Sequence, residues 1–346
     1  MSEPQQDHKE IGKNLDLFHL EGENPGVIFW HPKGATLYNL IADDLKKELT
    51  KQGYQFLKTP NVLAIETFKK SGHYDNYQDK MYFAGNKSQI EKKEPKWVVT
   101  PMNCPGTLEV YKSKMHSYKE LPIKFAEMGS VYRYEQPGEV NGLFRAREFT
   151  VDDAHIFALI EQVSDEVSLL IDFIIKYYKK YDFEIDHIEL STRPEKSIGT
   201  DEDWKITENA LENALEKSKI KYKLNPGDGA FYGPKVDFHI KDNHGRTWQL
   251  GTIQVDMSMP ERLGCFYIDE KGGKKYPVMI HRAILGSLER FIGILLEHFS
   301  GALPVWLAQT QVIILPITDK HIDYACGVSQ ELKETRVEVD KRSESV

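Results

Sequence analysis

Three stretches of the chain carry arginine in a pattern suited to a polyphosphate. Arg133-Tyr134-Glu135 is followed after a turn by Arg145-Ala146-Arg147-Glu148-Phe149, and Gly286-Ser287-Leu288-Glu289-Arg290 lies far downstream. A guanidinium is planar, permanently charged and able to grip two oxygens at once. Fixed arginines can therefore stabilise the negative charge that builds up when a group is transferred at phosphorus. Any one of these arginines alone reads as a surface ion-pair partner. The sequence has no GxGxxG or GxxxxGK[ST] loop, so a nucleotide would be held by side chains rather than by a glycine cradle.

A second set is less conspicuous. Cys104, His155 and His281 are separated by long stretches, unlike the C-x-x-C or H-E-x-x-H spacings that announce a metal. On spacing alone Cys104 reads as a buried core thiol and the two histidines as packed, hydrogen-bonded residues. His73, in SGHYDNY, reads on its own as a hydrogen-bonded surface histidine, of a pKa class suited to proton transfer.

These groups need elements to position them. Leu37, Leu40, Ile41, Leu45 and Leu49 fall at helical spacing, with Thr36 as cap and Gly53 as stop. YQFLKTP reads as a strand ending at Pro60, the polar stretch 86–96 as a solvated loop, and WVVTP as a strand. Pro105 and Gly106 open a helix. KFAEMGSVYRYE and LFRAREFTVDDAHIFAL read as strands around the turn QPGEVNG. Helices are predicted over 161–181, 201–219 and 281–299, the last interrupted by Gly286 and Gly293. FEIDHIELST, KVDFHIK and RTWQLGTIQVDM are further strands, the last two meeting at a polar turn over 242–245. Strands joined by short turns between helices predict an α+β fold with a mainly antiparallel sheet flanked by helices.

Composition sets outer limits. The 346 residues are 40% hydrophobic and 28% charged, as in a globular protein with a real core. The net charge of −8 argues against nucleic-acid binding driven by bulk charge but leaves room for a local basic face. Three scattered cysteines favour a reducing compartment. MSEPQQDHKE carries no secretory signal, and apolar runs such as FIGILL are too short to span a bilayer. A cytoplasmic protein without a membrane is the expectation.

The helix leading through GYQFLKTP to Pro60 and the two arginine-bearing segments, in this order, resemble motifs 1, 2 and 3 of class II aminoacyl-tRNA synthetases. DHKEIGKNLDLFH, PGVIFWHPKG, SGHYDNY, TPMNCPG, FTVDDAHIF, LSTRPEKSIG, GAFYGPK and PVMIHRAILGSLERFIGIL resemble the threonyl-tRNA synthetase family. The resemblance implies the class II synthetase fold, ATP and L-threonine as substrates, magnesium with the ATP, tRNA(Thr) as acceptor and a homodimer through the Pro60 region. Arg133 would bridge the α-phosphate and the substrate carboxylate, Arg145 would contact the γ-phosphate, and Arg290 and Phe149 would sandwich the adenine. Glu135 would accept from the adenine amino group, with Gln249 near the ATP. Met102, Asp153, Tyr232, Gln254 and Ala283 would line the threonine pocket, Asp153 facing the amino group. Cys104, His155 and His281 would hold one zinc ion (Zn2+) per subunit, and His73 would accept a proton during transfer to tRNA.

The resemblance also divides the chain into a disordered tail over 1–10, a catalytic domain over 11–301, a linker over 302–308 and part of an α/β anticodon-binding domain over 309–346. No editing domain is expected. Three features depart from the family pattern: Val151 stands where a glutamine is expected, the lysine-rich segment 87–96 is longer than usual, and the C-terminal unit stops part-way. A non-catalytic class II relative, or a synthetase for another amino acid, remain the alternatives. Retention of Arg133, Arg145, Arg290 and all three metal candidates weighs against the first, and the Cys/His/His set against the second.

Overall fold

Alternating apolar residues make strands with one face for a core and one for other work. In KVDFHIK the buried Val236, Phe238 and Ile240 point one way, and Lys235, Asp237 and His239 the other. The computed structural model describes residues 7–242 and 245–342. Its centre is an eight-stranded sheet in the order Lys223–Asn225, Ile185–Ser191, Lys235–Lys241, Thr247–Asp256, Val278–Ala283, Glu148–Ala158, Ile123–Tyr132, Gln55–Phe56. The six inner strands pair antiparallel, and only the two short edge strands pair parallel. The mainly antiparallel α+β expectation is borne out.

Helices Pro32–Lys51, Ile160–Lys180, Asp201–Lys217 and Leu288–His298 supply the apolar stripes that join the sheet in the main core. Leu288, Phe291, Ile292, Ile294, Leu295 and Leu296 of the last are all buried, each contributing about 1.5–3 kcal/mol by leaving water. No helix among the described residues is long and apolar enough to cross a membrane.

Several local expectations need correction. The stretch predicted as one helix over 281–299 is a strand, Val278–Ala283, then a turn, then the helix Leu288–His298. The strand is buried on both faces, so its sequence shows no alternation and reads equally well as helix. Gly286, at φ +71°, makes the break; a Cβ there would come 2.8 Å from the Leu250 carbonyl oxygen. Thr36 does not cap its helix, which begins at Pro32 after His31; its hydroxyl donates to the Pro32 carbonyl within the first turn. The segment predicted as a loop over 86–96 contains a helical turn, Lys87–Glu91. There the Asn86 side chain accepts from Gln89 N, and Gln89 Oε1 accepts from Asn86 N.

The disordered tail over 1–10 is also too long. Asp7 caps a helix, His8–Asn14, and buried His8 holds Glu297 through both its backbone N–H and its ring, at 3.0 and 2.8 Å. Residues 1–6 lie outside the described residues, as do residues 243 and 244 of the polar turn predicted over 242–245. The stretch 302–308 is no free linker: Leu307 is fully buried in the main core and Trp306 packs edge-on to Tyr181. Beyond it, Val312–Ile314 and Val337–Val339 pair parallel around the helix Ile322–Glu331, the β-α-β start that was predicted; residues 343–346 lie outside the described residues.

Candidate functional site

One strand carries much of the site. Along Glu148–Ala158 the two-residue period puts Phe149, Val151, Asp153 and His155 on one face, while Asp152 and Ala154 go to the other side. Two adjoining cavities lie over that face. The larger, about 500 Å³, is lined by Met102, Cys104, Asp153, His155, Tyr232 and His281 among others. The smaller, about 310 Å³, is lined by Glu135, Arg145, Phe149, Gln249 and Arg290 among others. Arg133, Val151, Thr252, Gln254 and Ala283 line both. A ligand can therefore run from one to the other past Arg133.

His155 and His281 are direct cross-strand partners, and their rings meet edge to face at 4.9 Å. Cys104 comes from elsewhere, the first residue of the helix Cys104–Lys112. The donor atoms of all three lie within 4.8 Å of one another, and all three side chains are buried. His155 Nε2 has no hydrogen-bond partner among the described residues; Asp153 Oδ1 is 3.6 Å away. A buried orphan nitrogen beside a thiol and a second imidazole is a donor set of the kind that can hold a metal ion and leave a position open. The residues fit a metal ion. Burial pushes the Cys104 thiol well up and the His155 imidazole well down, so both are neutral without one.

Neighbouring groups hold the set in place. Asp256, fully buried, lies 3.3 Å from His281 Nε2 and accepts from the backbone N–H of Ser258 and Met259. Tyr232 donates to Gln254 and packs 4.8 Å from the His281 ring. Asn103 donates to Asp153 at 3.3 Å. Asp153 faces the cavity, while its neighbour Asp152 is buried against Arg282. His73 lies behind Cys104 rather than on either cavity wall. Its Nε2 is 3.3 Å from Cys104 Sγ and its Nδ1 2.8 Å from Ser71 Oγ, so the reading of His73 as a surface histidine is corrected.

At the smaller cavity, Arg133 Nε donates to the Pro101 carbonyl at 3.1 Å, and its guanidinium lies 5.1 Å over the Phe149 ring and 5.6 Å over Tyr77. Arg290 is tethered to the carbonyls of Phe144 and Gln249. Glu135 is bound by Lys80 at 2.8 Å, and half-exposed Arg145 reaches Glu139 at 3.7 Å. Sequence reasoning missed Lys80, Asp256 and Lys196, the last of which lines the larger cavity. Lys196 was visible inside LSTRPEKSIG; Lys80 and Asp256 carry no sequence signal, because only the fold brings them to the site.

Glu289, inside the third arginine-bearing segment, was also missed as a structural group. It is buried and accepts from Thr150 N at 2.9 Å. Burial, more than the nearby Glu148, pushes its carboxyl from 4.5 up to about 8. A carboxyl whose pKa is raised on folding binds more protons folded than unfolded, so its contribution is full below about pH 4.5 and is lost as pH rises towards 8. Glu289→Gln is expected to flatten that decline by an amount on the order of a few kcal/mol. Thermal midpoints at mildly acidic and mildly alkaline pH check this, and parallel curves for parent and variant would refute it.

Comparison with known proteins follows the same lines. A family model described as the class II core domain of tRNA synthetases (G, H, P, S and T) matches residues 87–299. The threonine–tRNA ligase of Caldanaerobacter subterraneus subsp. tengcongensis is 51% identical over 342 residues, which are 98% of this chain and 52% of that protein. The chain spans about half the length of the curated relatives it matches. The crystal structure of the RNA binding domain of threonyl-tRNA synthetase from Cryptosporidium parvum superposes with a TM-score of 0.94 at 41% identity, covering 99% of this chain and 85% of that one. A putative threonyl-tRNA synthetase from Aeropyrum pernix gives 0.82 at 30% identity, covering 97% and 80%.

Proposed function

This chain belongs to the class II tRNA synthetase core family, on its threonyl branch, and from that premise we propose that it activates L-threonine with ATP and passes the threonyl group to tRNA(Thr). The observation that carries the reading is the joined pair of cavities, with Arg133 on the wall of both. In the first step a carboxylate oxygen of threonine attacks the α-phosphorus, an adenylate forms and pyrophosphate leaves. Both the carboxylate and the phosphate are negative, and Arg133 is the fixed cation at their junction. Arg290 and Arg145 take the nucleobase and the outer phosphates respectively, Phe149 and Glu135 complete the adenine site, and Gln249 lies beside it. Magnesium accompanies the ATP.

Cys104, His155 and His281 would hold zinc, and Asp256 and His73 would steady two of these ligands. When bound, zinc supplies a Lewis-acidic position for the amino and hydroxyl groups of threonine. Asp153 receives the amino side of the substrate, while Met102, Tyr232, Gln254 and Ala283 shape the pocket. Val151 gives an apolar wall where the family pattern has an amide. The geometry favours a positioning role for His73, next to Cys104, over proton acceptance from tRNA. The homodimer is assigned to the Pro60 region, where Phe56 and Val62 are exposed, and the cytoplasm is the proposed location.

The test is threonine-dependent ATP–pyrophosphate exchange, with zinc measured on the same sample. A site that binds the hydroxyl should disfavour valine by roughly 10⁴–10⁵-fold, whereas serine lacks only a methyl group and should be disfavoured by roughly 10–200-fold. Cys104→Ala is expected to lose the metal and the discrimination against valine together. Valine within about 100-fold of threonine in zinc-loaded protein, as a purely apolar pocket gives, would sink the reading.

A further inference from the structure

Outside the two cavities, a second group of ligating side chains sits on the sheet. His187 and Glu189 are two apart on the strand Ile185–Ser191, so strand alternation puts both on one face. His239, on Lys235–Lys241, is the direct cross-strand partner of His187. The two rings stack at 4.3 Å, 7° from parallel. One donor atom from each of the three side chains lies within 4.8 Å of the others.

With both rings neutral, their hydrogen bonding does not close. His187 Nδ1 is 2.6 Å from Asp186 Oδ2, and its Nε2 is 3.1 Å from Glu189 Oε1. A neutral imidazole has a single N–H. With that proton given to Asp186, the Nε2 lone pair faces a carboxylate oxygen. His239 Nε2 is buried with no hydrogen-bond partner among the described residues, and Glu189 Oε2 is 3.7 Å away. Glu189 Oε2 also accepts from Asn225 Nδ2 at 3.1 Å, and the two imidazole lone pairs converge on this carboxylate.

The surroundings are acidic. Asp237 is paired opposite Glu189, and Lys235 is the cation that binds Asp237 and Asp228, at 2.6 and 2.9 Å. Burial, with His187 next to it, holds the His239 imidazole below its usual pKa. Neutral imidazole is the form that ligates.

We propose that His187, Glu189 and His239 form a second divalent-metal site, two imidazoles and one carboxylate, with its remaining positions open to water. Imidazole donors select zinc, nickel, copper or iron(II) over magnesium and calcium. The carboxylate of Asp186 fixes the His187 tautomer that offers Nε2. The side chains are 17–22% exposed, so an ion reaches them from solvent. The site shares no residue with the Cys104 set. It is one strand away from the smaller cavity, since His239 is the cross-strand partner of Gln249.

The test uses the full chain, stripped with a chelator and titrated with Co²⁺ alone, counting bound metal after dialysis. Two equivalents are expected, one with a thiolate-to-cobalt charge-transfer band and one without. His239→Asn and Glu189→Gln should each lower the count to one and leave that band intact. Asp186→Asn should weaken the second equivalent by roughly 10–100-fold. Cys104→Ala should remove the band and spare the second equivalent, so failure of either site is read separately. A wild-type count that neither His239→Asn nor Glu189→Gln lowers, in variants whose circular dichroism matches the parent, overturns the second site.

Discussion

Replacing Arg133 by alanine is expected to lower kcat for threonine-dependent ATP–pyrophosphate exchange by roughly 10²–10³-fold, the usual cost of removing one fixed donor from developing charge. Arg133 lines both cavities, and a backbone carbonyl and two aromatic faces hold it there. Its bond to Pro101 uses one of five N–H donors. Because the charge it meets is greatest in the transition state, the loss should fall on kcat and on kcat/KM together, with KM little changed. Arg133→Lys keeps the charge but not the two-pronged geometry, and should recover only a small part. Exchange by the alanine variant within a few-fold of the parent would remove Arg133 from the junction of the two substrates.

Asp152→Asn should be the most destabilising single change near the site, by about 3–5 kcal/mol, the typical cost of leaving one charge of a buried pair alone. Arg282 is fully buried, with its guanidinium 3.1 Å from Asp152 and 4.8 Å over the Tyr54 ring. Asp152 also accepts from the backbone N–H of Ile284 and Leu285, both at 2.8 Å. Those bonds fix the turn between the strand bearing His281 and the helix bearing Arg290. Chemical denaturation checks the size of the loss. A double variant, Asp152→Asn with Arg282→Met, should be less unstable than the sum of the two single changes. Simple additivity would mean that the two side chains do not act as a pair.

The arginine motifs were legible because each is local: a few adjacent residues carry the whole pattern. The row Phe149, Val151, Asp153, His155 was legible for a similar reason, since period two needs only one strand. Contacts set by strand register were not. Nothing near His155 in sequence says that His281 lies directly opposite, and only family resemblance joined them to Cys104. The pairing of His187 with His239 left no trace at all, although both strands were recognised. Lys80 and Asp256 are hidden in the same way. The strand Val278–Ala283 was misread because burial on both faces erases the alternation that marks a strand. Trp306 and Leu307 were assigned to a linker because Pro304 and short spacing look like a connection, and only packing against Tyr181 reveals an anchor.

The strand Glu148–Ala158 is also a measuring rod. Its backbone advances about 3.4 Å per residue, so Phe149 and His155 stand about 20 Å apart, with Val151 and Asp153 as graduations between them. The rod cannot be recalibrated by small insertions. One added residue between Phe149 and His155 would turn the histidine into the core, and two would carry it about 7 Å too far. Length changes should therefore be accepted in the turn between Glu135 and Arg145, and refused along the rod.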